Sequence, residues 1–375
     1  MLPPMDHAAR RDRLRGSLDG LWLLVSEPVH VRYLSGFAGS AGHVLVGPSV
    51  ELDRIITDDR YEQRVAVDTP QLQAEISRDP FGVALAAVAG WSAACGGAVG
   101  RPDHAERLGV EADHLTWAAA ETLRERARGA DVEVVGTTGA VAALRLTKDD
   151  AEVARLARAC AITTDALAWL FAEVVAPGVS ERELATVLER RFVDLGADGV
   201  AFPSIVASGP NAAIPHHGPS VRRLEPGDVL TVDCGASVDG YHADCTRTVG
   251  IDHLDAALQE VYEVVRAAQA AGGAAAVLGA TAGDLDAAAR TVIEDAGYGD
   301  RFVHGTGHGV GLEIHEAPAV AKGSGATLEI GTTLTVEPGV YLPGLGGVRI
   351  EDTLVIGADG LARVLTDAPR ELRLL

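Results

Sequence analysis

An acidic residue sits inside an apolar, strand-like run four times after residue 230: Asp233 in LTVDCGA, Asp244 in YHADCTRT, Glu337 in LTVEPGV and Glu351 in VRIEDTL. A carboxylate among apolar neighbours is costly unless it is paired or bound to a metal. One such residue can cap a strand or form an ion pair. Four of them predict a fold that gathers the acids around a common partner. The spacing agrees, because Asp233 and Asp244 flank a hairpin-like turn at Ser237-Val238-Asp239-Gly240, and Glu337 and Glu351 flank the Gly-rich LPGLGG at 342–347. Two hairpins would then present two carboxylates each.

The segment HGTGHGVGLEIHE, 304–316, adds His304, His308 and His315, three of the chain's twelve histidines, between glycines that permit close backbone approach. Carboxylates with one imidazole make a hard, oxygen-rich ligand set that suits Mn²⁺ or a similar divalent ion better than a thiolate site would. Enough carboxylates are present to bridge two ions about 3.5–4 Å apart, the hydrolase arrangement in which both ions activate one water. Cys234 and Cys245 each follow a proposed Asp ligand, so on a strand their thiols should face away from the ions and pack.

Elsewhere the pattern changes along the chain. Short apolar runs at 21–26, 43–47, 54–59 and 132–136 read as buried strands, and 61–67 and 115–128 as helices, which together make a small α/β domain. GFAGSAG at 36–42 lacks the Lys-Ser/Thr ending of a phosphate loop and reads as a turn. A helix is expected over 148–175, stopped by Pro177-Gly178, and a second opens with a capping box at Ser180-Glu181-Arg182-Glu183 and runs to about 195. After 199, strand hairpins alternate with helical blocks at 254–278 and 284–296, an α+β domain. The boundary is placed between 1–143 and 144–375.

Composition narrows the function. Asp plus Glu is 53 against 32 Lys plus Arg, a formal charge of −21 that repels phosphate backbones and anionic membranes. The uncharged stretch 81–100 is mostly Ala and Gly, whose glycines should break a helix, so it does not read as a membrane span. The first residues are too charged for a signal peptide, and the four cysteines suggest no disulfide framework. A soluble cytoplasmic enzyme is the expectation.

The set VDCGA, HADCTRT, HGTGHGVGLEIHE, VEPGV and RIEDT resembles the prolidase and aminopeptidase P branch of the "pita-bread" metallopeptidases. FPSIVASGPNAAIPHHGP is similar to the family segment carrying an additional catalytic His, and VRYLSGFAGSAG and ITDDRYEQ resemble the creatinase-type N-terminal domain, so nearly the whole chain is covered. The resemblance implies that Asp233 binds one metal, Asp244 and Glu351 bridge both, His308 ligates the second, and Glu337 ligates and assists proton transfer. It also implies that His216 and His315 are non-ligand histidines serving the tetrahedral intermediate. His304 would lie in the pocket for the residue after the scissile bond, and Arg349 would sit beside the bridging Glu. The cofactor implied is two divalent ions, Mn²⁺ first, with Co²⁺ or Zn²⁺ as alternatives.

The implied substrate is a small peptide with proline second, and the implied assembly a homodimer or higher homo-oligomer. A dipeptide substrate, as for a prolidase, is preferred over a longer one, as for aminopeptidase P. A dipeptidase needs a cation for the free carboxylate, with Arg32 and Arg60 among the candidates. His217 is a second candidate for the role of His216, but the family pattern favours His216 and His217 reads as loop surface. A metal-free creatinase-like C–N hydrolase and a non-enzymatic binding module are the alternatives, and intact residues at all five ligand positions argue against both.

Overall fold

The computed structural model describes residues 2–94 and 106–375, so Cys95 and the end of the uncharged 81–100 stretch lie outside the described residues. The chain forms two compact units, Pro4–Arg145 and Leu146–Leu375, the latter also taking in Leu2 and Pro3.

The first unit runs α1 (His7–Ser17), β1 (Trp22–Val25), α2 (Pro28–Ser35), β2 (Gly42–Val46), β3 (Arg54–Thr57), α3 (Glu62–Asp68), β4 (Gln73–Ile76), α4 (Pro80–Ala94), β5 (Glu106–Glu111), α5 (Trp117–Arg128), β6 (Val132–Thr137) and α6 (Ala140–Arg145). Its six strands form one sheet in the order β4-β3-β2-β1-β5-β6, with β2 antiparallel to both β1 and β3 and the other pairs parallel. WLLV in β1 is buried at every position, as a continuous apolar run in a central strand should be. β3 stops at Thr57 because Asp58 turns the chain, its carboxylate accepting from the Arg60 amide at 3.0 Å.

Two strands escape sequence reading: QAEI in β4 is a polar edge, and the short ERLGVE of β5 carries a glycine. The helix α4 corrects the expectation for 81–100. It forms despite Gly82 and Gly90, because Asp79 accepts from the Gly82 amide at 3.0 Å and Ala84, Leu85 and Val88 bury against the sheet core. No helix among the described residues is long and apolar enough to cross a membrane.

The second unit begins with α7 (Asp150–Glu173) and α8 (Glu181–Asp194), both opened by capping boxes, Asp149 with Glu152 and Ser180 with Glu183. There follow β7 (Gly199–Val200), β8 (Ile205–Ser208), β9 (Val229–Cys234), β10 (Ala236–Val238), β11 (Tyr241–His242) and β12 (Cys245–Gly250). Next come α9 (Ala256–Ala275), α10 (Ala282–Asp295), β13 (Gly307–Gly309), β14 (Glu316–Val320), β15 (Thr333–Val336), β16 (Gly339–Leu342), β17 (Gly346–Arg349), β18 (Asp352–Ile356) and β19 (Ala362–Val364). Strands β12-β9-β8 and β14-β13-β15-β18-β19 make the two main sheets. Leu184, Leu188 and Phe192 of α8 pack with α7 against Val206, Leu230 and Val232 of the first sheet. Each of those large side chains contributes about 2 kcal/mol by leaving water. Leu285 of α10 packs against Leu334, Val336 and Leu354 of the second.

The hairpins fall where the sequence predicts, with one refinement. Asp239 and Gly240 have φ of 49° and 75°, the pair of positive values that a two-residue type I′ turn requires between β10 and β11. The long strands expected around the acids are each broken. Of the four acids only Asp233 lies within a strand; Asp244, Glu337 and Glu351 sit in the gaps before β12, after β15 and before β18. At these gaps the chain passes from one sheet to another, which turns the carboxylates out of the ladder toward one another.

Candidate metal centre

The two hairpins place the acids on a common cavity wall. β9 pairs with β12 so that Asp233 lies opposite Thr246, and β15 pairs with β18 so that Val336 lies opposite Asp352, leaving Glu337 and Glu351 flanking the β16–β17 hairpin. All nine residues singled out above, His216, Asp233, Asp244, His304, His308, His315, Glu337, Arg349 and Glu351, line one cavity of about 480 Å³. One oxygen each of Asp244 and Glu351 and one ring nitrogen of His308 lie within 4.8 Å of one another. His308 Nε2 is 3.5 Å from Asp244 Oδ2 and 3.4 Å from Glu337 Oε1.

The donor chemistry fits divalent cations. Asp233 Oδ2 accepts from Arg349 Nη2 at 2.7 Å, and Glu351 Oε2 accepts from Thr246 Oγ1 at 2.7 Å. Their other oxygens, Asp233 Oδ1 and Glu351 Oε1, are buried with no hydrogen-bond partner among the described residues. Orphaned buried acceptors on two carboxylates call for a cation. His308 Nδ1 lies 3.0 Å from the Gly309 carbonyl, which can only accept, so Nδ1 carries the proton and Nε2 turns its lone pair toward the acids.

Electrostatics without a cation is unfavourable. Burial, with the charges of Asp233 and Glu337, pushes the Asp244 carboxyl far above its usual range. Burial, with Asp244 and Glu337, does the same to Glu351. Glu337 rises to about 7, chiefly through burial, although 18% of its side chain stays open to the cavity. These are the shifts expected where like charges are held together for a counter-ion to neutralise.

Histidines line the same cavity as the acids. His304 is lowered to about 4 by burial, so it is neutral near pH 7. Its Nδ1 donates to the Gly305 carbonyl at 2.8 Å, leaving Nε2 to accept from the Tyr341 hydroxyl at 2.8 Å. Tyr341 in turn accepts from Arg349 Nη1 at 2.8 Å, which links the pocket wall to Asp233. His315 stacks edge-on against His308 with ring centroids 4.4 Å apart, and burial lowers it too. The three cysteines of the described residues are fully buried, and Cys160, Cys234 and Cys245 pack together in the core. Burial pushes the Cys245 thiol up to about 12, so it is inert.

The sequence reading missed three supporting residues and misplaced a fourth. Tyr341 and Thr246 look like ordinary strand residues, and only the register brings them to the carboxylates and to His304. Glu181 looks like an acid in the first turn of α8, but its carboxylate is wholly buried and accepts from His217 Nε2 at 2.9 Å. His217 is therefore corrected: with 14% of its side chain exposed it lines the cavity instead of lying on the loop surface.

Residues 154–358 match the model of metallopeptidase family M24, and 10–147 match the creatinase/prolidase N-terminal domain. The chain belongs to metallopeptidase family M24. Among M24 relatives it is 38% identical to the uncharacterized peptidase YqhT of Bacillus subtilis, over 96% of each chain. It superposes on the Xaa-Pro dipeptidase from Bacillus anthracis with a TM-score of 0.89 at 36% identity, covering 99% of this chain and 100% of that one. It superposes on the X-Pro aminopeptidase from Thermotoga maritima with a TM-score of 0.85 at 30% identity, covering 98% and 100%. The M24 match accounts for the pita-bread α+β domain, and the second match for the creatinase-like domain ahead of it.

Proposed function

We propose that this M24 metallopeptidase is an Xaa-Pro dipeptidase, cleaving the bond between an N-terminal residue and proline. In this reading residues 1–143 are the creatinase-like domain and 144–375 carry the chemistry, in a cytoplasmic homodimer or larger homo-oligomer. The observation that carries the metal dependence is the pair of orphaned oxygens, Asp233 Oδ1 and Glu351 Oε1, on residues lining the cavity in which His308 Nε2 faces Asp244 and Glu337. Asp233, Asp244, His308, Glu337 and Glu351 would hold two divalent ions, with Mn²⁺ the first choice for so oxygen-rich a set and Co²⁺ or Zn²⁺ next.

When bound, the ions supply a Lewis acid for the scissile carbonyl and lower the pKa of water. The protein's own residues supply the rest. Arg349 holds one oxygen of Asp233 and Thr246 one oxygen of Glu351, fixing which lone pairs face the cavity. Glu337, whose Oε1 lies 3.4 Å from His308 Nε2, would both ligate and assist proton transfer. His216 and His315, which line the cavity, would donate to the oxygen on which charge develops. His304 and Arg349, joined through the Tyr341 hydroxyl, would form a fixed wall for the proline ring, whose nitrogen has no hydrogen to offer.

The 36% identity to a dipeptidase over the full chain favours dipeptides, and the similarity to the Thermotoga maritima aminopeptidase keeps longer peptides as the second reading. Hydrolysis of Ala-Pro against Ala-Pro-Ala with added Mn²⁺ separates them. A clear preference for Ala-Pro is expected. Faster cleavage of Ala-Pro-Ala would establish the second reading, and no metal-dependent cleavage of either would overturn both.

A further inference from the structure

A dipeptide leaves a free carboxylate beyond its proline, and this cavity, lined by four acids, must meet that anion with a donor. Arg349 is committed elsewhere: Nε donates to Thr246 Oγ1 at 3.2 Å, Nη1 to the Tyr341 hydroxyl and the Pro215 carbonyl, and Nη2 to Asp233. His304 has both ring nitrogens engaged, and His308 directs Nε2 at the acids. His315 is stacked edge-on against His308, with ring centroids 4.4 Å apart, and is assigned above to the oxyanion. Arg32 and Arg60 do not line the cavity.

Two lining histidines remain: His216 is assigned above to the developing oxyanion, and His217 stands on a wholly buried carboxylate, that of Glu181, outside the group of four acids. Glu181 Oε1 accepts from the Ser208 amide and hydroxyl at 2.8 and 2.7 Å and from Asn211 Nδ2 at 3.0 Å. Its Oε2 accepts from the Ser220 amide and hydroxyl at 3.0 and 2.6 Å and from His217. Burial pushes the Glu181 carboxyl up, but the bonds from Ser220, Asn211, Ser208 and His217 outweigh it and hold it at about 2. The carboxylate is therefore ionised and can only accept, so His217 donates through Nε2. Nδ1 is then the ring nitrogen left for the cavity. An anion bound there would set the ring between two carboxylates.

We propose that His217 receives the free C-terminal carboxylate of a dipeptide substrate, with Glu181 as the positioning residue that fixes the ring and the loop carrying it. The inference rests on the dipeptidase reading. It makes this pair the determinant of dipeptide preference.

The test compares Ala-Pro with its C-terminal amide, Ala-Pro-NH₂, in the Mn²⁺-loaded wild type, His217→Ala and Glu181→Gln. His217→Ala is expected to raise KM for Ala-Pro about tenfold with kcat within about twofold, and to cut the preference for Ala-Pro over the amide by the same factor. Glu181→Gln should move the same ratio in the same direction by a smaller factor, because a purely structural lesion would raise KM for both peptides alike. Equal changes on the two peptides, or a loss confined to kcat, would overturn the proposal. Calorimetric binding of Ala-Pro and Ala-Pro-NH₂ to the metal-free protein reads the preference without turnover. A wild type that hydrolyses neither peptide would sink the dipeptidase reading, while loss of the binding preference in His217→Ala would still support the contact and its retention would refute it.

Discussion

Asp244 and Glu351 each sit where burial and neighbouring carboxylates disfavour ionisation, so their charge is tolerable only beside a cation. Replacing either by Ala is expected to lower kcat/KM on Ala-Pro by about a thousandfold or more even at saturating Mn²⁺, because each is assigned to both ions. The same change removes carboxylate repulsion, so the metal-free variant should melt no lower than the metal-free wild type in scanning calorimetry. Wild-type turnover in either variant would refute the two-ion assignment. His315 behaves differently. It stacks on His308 and is assigned to the transition state and not to coordination, so His315→Ala should lose turnover and keep its metal. Mass-spectrometric metal analysis of the purified variant decides this, since metal lost together with activity would make His315 a ligand.

At the scale of elements, what matters is how tightly the hairpins close on the site. A Cβ at Gly235 would lie 1.9 Å from the Ala243 carbonyl oxygen, so Gly235→Ala must push apart the segments that carry Asp233 and Asp244. A loss of about 3 kcal/mol or more is expected, with weakened metal binding, read by denaturant unfolding and by titration with Mn²⁺. The start of α8 makes a second prediction. Glu181 is held at about 2 against an ordinary value of 4.5, so its contribution to stability is full above 4.5 and is lost as pH falls toward 2. Glu181→Gln should cost about 2 kcal/mol at pH 7, and that gap should close on acidification. A gap independent of pH would show that the hydrogen bonds, and not the charge, do the stabilising.

For the whole molecule, the −21 charge favours solubility and disfavours nucleic acid, while the family resemblance implies self-association. Light scattering is expected to give a mass near twice 38.9 kDa or a higher multiple, and an active monomer would end that expectation. The resemblance also implies that a loop of the first unit reaches toward a neighbour's site, and 36–42, with its small residues, is a candidate for it, although an internal turn fits those residues equally well. Gly39 cannot report on it, because a Cβ there would meet the Phe37 ring at 2.3 Å and disturb the packing of its own domain. Ala38 is exposed, so Ala38→Trp is the cleaner probe: altered KM or altered mass at unchanged metal content would place the loop at a neighbour's site.

The sequence by itself marked the acids and histidines that line the cavity, because a carboxylate in an apolar run is costly without a partner, and capping boxes and the Asp-Gly turn are local signals read at short range. It also marked both hairpins, since turn chemistry is written in a few adjacent residues. It did not determine the breaks at Asp244, Glu337 and Glu351, which depend on where one sheet hands over to the next. Nor could it foresee that Gly82 and Gly90 would sit in a helix, where packing on the sheet outweighs propensity. Tertiary structure alone decided the partners: Thr246 for Glu351, Arg349 for Asp233, Tyr341 for His304, and Glu181 for His217. Those contacts join residues up to 116 positions apart, and no local pattern encodes them. Composition and spacing fix which chemistry the chain can carry, while register and burial fix which oxygen or nitrogen is left free to do it.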